Sequence, residues 1–171
     1  MPAITRRACI SIFFVLAMVC SAALPAQTKP APVPPALLNA KTVFVSNAGS
    51  DSGLFPHPFT GDESRGYSTF YQKLQNWGRY QLVDDPAKAD MVIELQLNAP
   101  NGPADANKQK GASDPLPMFR LVVYDRATHY VLWALTESID PAALQKTHDH
   151  NFDLALTKLL ADLQAVVASA R

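Results

Sequence analysis

The side chains best suited to chemistry in this 171-residue chain are His148-Asp149-His150, the one cluster of metal-ligand residue types. Histidine and carboxylate are ordinary zinc ligands. The catalytic reading is therefore a small metal-dependent hydrolase built on His148 and His150, with Asp149 or Asp153 completing the set. Spacing argues against it. Two residues apart on a helix, the two rings point about 200° apart. They can share an ion only in an extended segment ahead of the helix. The plainer reading is that Thr147 or Asp149 caps a helix and both rings are solvated. Other chemistry is thinner still. Gly49-Ser-Asp-Ser-Gly53 has the glycine content of a phosphate loop, but lacks the lysine and the immediate helix such a loop needs. No Gly-x-Ser-x-Gly, Ser-x-x-Lys or His-Glu-x-x-His occurs. His57 lies between two prolines and His129 follows a turn, both surface positions. Glu94 and Arg120 fall on neighbouring strands and read as a cross-strand ion pair. The chain reads as a non-enzyme with no cofactor.

The elements that must position these residues are two apolar stretches, the second ending in a hairpin. One is Asp90-Met-Val-Ile-Glu-Leu-Gln-Leu97. The other is Phe119-Arg-Leu-Val-Val-Tyr124, a turn Asp125-Arg-Ala-Thr128, and His129-Tyr-Val-Leu-Trp-Ala-Leu-Thr136. β-Branched and aromatic residues at this density favour a pleated, half-buried surface. Alternation puts Ile93, Leu95, Leu97, Phe119, Leu121, Val123, Val131, Trp133 and Leu135 on an apolar face. The opposite face is mixed. It carries Phe44, Val92, Val122, Tyr124 and Leu132, too apolar a set to stand bare on a soluble monomer. Either the aromatic loop Phe55-Pro-His-Pro-Phe59 folds over it, or a protein partner or a second copy does.

The address is written at the N-terminus. Arg6-Arg7 precede an apolar run to Leu24, and Ser21-Ala-Ala23 and Leu24-Pro-Ala26 are small-residue endings for a signal peptidase. Residues 1–26 are expected to be a cleaved secretory signal, with a retained membrane anchor as the alternative. Cys20 follows Val19, where a lipoprotein peptidase wants a small residue. Both cysteines, Cys9 and Cys20, fall inside this run, so removing it leaves no thiol for a disulfide, a nucleophile or a metal site. The expected location is the periplasm or the extracellular space. Charge is balanced and the basic residues are scattered, which excludes a nucleic-acid role; membrane contact is left to an uncleaved signal.

The proline-rich stretch 27–40 reads as an extended linker, and 41–169 as one domain. A short strand opens at Lys41. Tyr67, Phe70, Tyr71, Leu74 and Trp77 form one helical stripe that Gly78 ends with a left-handed cap. Arg79–Val83 is a second strand. Asp85-Pro86 and Asp140-Pro141 each start a helical turn. Residues 98–117 are nearly devoid of apolar content and read as a mobile loop. A last helix covers about 149–169, with Phe152, Leu156, Leu159, Leu163 and Val166 buried. The expected fold is α+β, a two-layer sandwich of a mixed five-stranded sheet ordered 2-1-3-4-5 with two long helices on one face.

Val43-Phe-Val45, the aromatic helix ending at Gly78, Tyr80-Gln-Leu-Val-Asp-Asp-Pro-Ala-Lys-Ala-Asp-Met-Val-Ile93 and Val123-Tyr-Asp-Arg-Ala-Thr-His-Tyr-Val-Leu-Trp133 together form a pattern. It resembles exported bacterial envelope proteins of unknown function and the amino-terminal domain of TolB-like proteins. The resemblance covers about residues 41–168. It implies an envelope-associated binding or assembly role and brings no catalytic residues. A small-ligand carrier, with Trp77 or Trp133 beside a pocket, is a further alternative.

Overall fold

The computed structural model of this chain describes residues 32–101 and 115–169. The expected N-terminal signal and most of the 98–117 loop therefore lie outside the described residues. The compact unit spans Pro32–Arg171. In chain order it contains α1 (Pro35–Asn39), β1 (Thr42–Ser50), α2 (Arg65–Trp77), β2 (Gln81–Val83), a 3₁₀ turn (Pro86–Lys88), β3 (Met91–Asn98), β4 (Met118–Asp125), β5 (Val131–Ser138) and α3 (Gln145–Ala168).

The five strands form one sheet in the order β2-β1-β3-β4-β5, the expected arrangement. β1 is parallel to both β2 and β3, and β3-β4-β5 run as an antiparallel meander. α2 and α3 share one core with a single face of this sheet. Phe70 and Leu74 from α2 and Phe152, Leu156, Leu159 and Leu163 from α3 are all fully buried with Val43, Ile93, Phe119, Leu121 and Val123. The periodicities that predicted the helices are the ones that build this core. Local chemistry also behaves as expected. Gly78 takes φ 68° at the α2 C-cap, a conformation that glycine alone adopts without a Cβ penalty. Asp85 accepts a hydrogen bond from the Ala87 amide and starts the 3₁₀ turn. Asp125 holds the hairpin turn by accepting from the Thr128 amide at 2.8 Å and from its hydroxyl.

Three expectations need correction. The proline-rich stretch is not a linker throughout: Pro35–Asn39 is helical and Leu37 is fully buried. Proline is compatible with a first helical turn, where its missing N–H is an orphan anyway. Arg79 donates to the Leu38 carbonyl at 2.7 Å and fixes the α1 end to the chain after α2. The domain therefore begins before Lys41. Second, Asp140-Pro141 starts no helical turn. The connection runs irregularly to Leu144, and α3 begins at Gln145, four residues ahead of the expected start. Third, β1 runs on to Ser50 through a register irregularity between Asn47 and Ser50. The Gly49–Gly53 segment that resembled a phosphate loop is therefore partly strand.

Candidate functional site

The face of the sheet opposite α2 and α3 is built in rows. Register sets Val83, Phe44, Val92, Tyr124 and Val131 side by side, one from each strand. The next row is Ser46, Glu94, Val122 and Ala134, and the next is Gln96, Arg120 and Thr136. The mostly apolar row thus lies between the paired Thr42 and Gln81 on one side and rows that turn polar on the other. Among the described residues no element packs over it. Val131, at the end of the apolar row, is 55 % exposed.

Of the five residues expected to form a partner surface, three hold their places. Phe44, Val92 and Tyr124 are adjacent in the apolar row and half-buried. Val122 shares the face but is only 1 % exposed. It therefore offers no surface. Leu132 leaves the pattern. A register shift opposite Val123 and Tyr124 makes it the extra residue of β5, and it packs against the main core. Val131 takes its place in the row, which sequence alternation assigned to the other side. The expected ion pair between Glu94 and Arg120 does not form. In register Arg120 lies beside Gln96, and Glu94 instead accepts the Tyr124 hydroxyl at 3.4 Å.

The aromatic loop does not cover this face. Its two phenylalanines turn to the helix side. Phe59 packs at a tilt against Phe152 of α3 at 5.0 Å, and Phe55 meets the same ring edge-on at 6.2 Å. A polar clamp then fastens the loop. Asp149 accepts from the Thr60 amide at 3.0 Å, from the Thr60 hydroxyl at 2.9 Å and from the Arg65 guanidinium. Arg65 also reaches Asp153 at 3.1 Å and lies 4.4 Å over the Phe152 ring. Burial by itself would raise the Asp149 carboxyl. The donors from Thr60, Arg65 and Gln145 override it and hold the group at about 2. No local signal reveals this clamp, because its partners lie 84 and 89 residues apart.

The same clamp engages the residues expected to complete a metal site. Asp149 and Asp153, the expected extra ligands, both face Arg65. His148 and His150 lie inside α3, since the helix starts at Gln145, so their rings diverge. His148 is half-buried with its ring 6.2 Å from Phe59, and His150 is exposed. Among the described residues no group of three or more histidine, cysteine or carboxylate side chains is placed to hold a metal. A partly open, mostly apolar cavity of about 280 Å³ is lined by residues that include Leu54, Phe59, Ile139 and His148. Neither tryptophan lines it. Trp77 stands edge-on to Tyr80 at 5.3 Å and lines a separate, open cavity of about 300 Å³ with Arg79 and Val167.

No protein-family model matches the sequence and no curated protein is recognisably similar to it. Solved structures are similar in fold. A PelC dodecamer from Paraburkholderia phytofirmans is 14% identical, covers 82% of this chain and 93% of its own, and has a TM-score of 0.45. Protein XCC0632 from Xanthomonas campestris is 11% identical over 84% of this chain and 91% of its own, with a TM-score of 0.44. TolB from Acinetobacter baumannii is 14% identical over 72% of this chain but only 29% of its own, with a TM-score of 0.35. At these identities no residue's role carries over.

Proposed function

We propose that this chain is an exported, non-catalytic domain of the bacterial envelope that binds a protein through the outer face of its sheet. The observation that carries the reading is the apolar row Val83-Phe44-Val92-Tyr124-Val131, with no described element packed over it. Contiguous apolar surface of this kind, rimmed by polar residues, marks interaction sites on soluble proteins. Glu94, Gln96 and Arg120 supply that rim. The signal-like N-terminus supports export. The divergence of His148 and His150, and the engagement of Asp149 and Asp153 with Arg65, weigh against the hydrolase alternative.

The test is site-specific photo-crosslinking in intact cells with the full chain. A photoreactive residue replaces Val92 or Phe44, with Asp162 on the exposed side of α3 as control. The expected result is an adduct of defined mass from Val92 and Phe44 and none from Asp162. Absence of any adduct from both face positions overturns the reading.

A further inference from the structure

β5 lies at the side of the sheet and, among the described residues, pairs only with β4. One whole edge of it faces away from the sheet. That edge is eight residues long, whereas the opposite edge strand, β2, has three. Such an edge presents a row of unpaired amides and carbonyls. Proteins usually blunt it with lysine, proline or brevity. β5, reading VLWALTES, has no proline and no basic residue. Its single charge, Glu137, is held by Lys158 of α3 at 3.4 Å. The register shift is confined to the Val131 end, and the ladder is regular from Trp133 to Ser138.

We infer that this edge is a strand-pairing site for a second copy of the chain, joined antiparallel about a two-fold axis near Ala134 into one continuous sheet. A two-fold interface requires a patch complementary to itself, and this one is. An axis at Ala134 sets Trp133 opposite the copy's Leu135, within the regular part of the strand. No charge meets its like. The layer above the edge matches too. α3 packs on β5, and its Leu154, 39 % exposed, stands one turn before the Lys158 that reaches down to Glu137. Each copy therefore brings an apolar overhang as well as a bare strand, whereas an isolated strand from another protein would meet only the backbone half. The pairing uses the backbone edge of β5, whose Val131, Ala134 and Thr136 side chains also border the outer face, and the two readings are told apart by their tests.

The test uses the full chain with Cys9→Ser and Cys20→Ser, carrying one new cysteine at a time. Ala134→Cys lies on the axis and meets its own copy. Thr136→Cys lies on the same edge but out of register with its copy, and Ser46→Cys lies on an interior strand. Directly opposed residues of an antiparallel pair lie within disulfide reach. Mild oxidation is expected to give a covalent dimer from Ala134→Cys at least tenfold above that from Thr136→Cys or Ser46→Cys. Ala134→Lys, which sets like charges face to face across the axis, is expected to shift the purified protein from dimer to monomer in sedimentation and to make its thermal midpoint independent of protein concentration. Absence of a covalent dimer from Ala134→Cys overturns the inference, as does equal cross-linking from either control or a dimer that survives Ala134→Lys. A foreign adduct at Val92 without a β5 dimer would overturn this inference and leave the outer-face reading intact.

Discussion

Replacing Asp149 by asparagine should loosen the aromatic loop from α3 and flatten the acid limb of the stability profile. Asp149 gathers the Thr60 amide, the Thr60 hydroxyl and the Arg65 guanidinium on one oxygen. Its carboxyl is held at about 2 against an ordinary value of 3.8. A carboxyl whose pKa is lower in the folded state stabilises the fold above the unfolded value, and that stability is lost as pH falls through the folded value. The window therefore lies between about pH 4 and pH 2. Taken at face value the shift corresponds to about 2.4 kcal/mol at 1.36 kcal/mol per unit. The Arg65 and Asp149 side chains are 19% and 21% exposed, so screening by water reduces this to about 1–2 kcal/mol. Urea unfolding of the wild type and Asp149→Asn at pH 7, 4 and 2.5 measures it. The variant should be less stable by about 1–2 kcal/mol at pH 7, and the difference should shrink at pH 2.5, where the wild-type carboxyl begins to protonate. Protease cutting within residues 51–64 should rise in parallel at pH 7. A stability gap that is absent at pH 7, or that is unchanged at pH 2.5, would refute the assignment.

Three further outcomes test the packing. Leu37→Ala should cost about 2–5 kcal/mol by emptying a fully buried site, seen as a lower urea midpoint; a change below about 0.5 kcal/mol would return 35–40 to the status of a linker. Gly66→Ala should lose about 1 kcal/mol even though alanine is the better helix former. The added Cβ would lie 3.1 Å from a Phe119 ring carbon and 3.6 Å from Phe152, and a stabilised variant would show that those rings yield freely. Asp90→Ala should lower the thermal midpoint by several degrees, because its carboxylate accepts from the Lys41 amide at 2.8 Å and the Thr42 amide at 2.9 Å and so secures the start of β1; an unchanged midpoint would assign that start to α1 and the sheet alone.

The sequence by itself determined, beside the strand order that connection rules favour, the strands of the meander, the stripe of α2, the glycine cap at Gly78 and the aspartate cap at Asp85. Each of these is a local or period-based signal: alternation of two, periodicity of 3.6, or a residue that only one backbone shape suits. The gross character of the candidate site was legible as well, since Phe44, Val92 and Tyr124 lie on the outer face by alternation alone. What only the tertiary structure decided is where non-local partners meet. A one-residue irregularity in β5 moves Leu132 off the outer face and puts Val131 on it, because side chains change sides whenever register slips by one. The start of α3 at Gln145 separates His148 from His150, and no capping side chain marks that start in the sequence. The aromatic loop settles on α3 rather than on the bare sheet face because Phe152 and the Arg65–Asp149 pair, remote along the chain, are brought together only once the helix layer has formed. The helix of Pro35–Asn39, which composition assigns to a linker, exists because Leu37 has a core to enter.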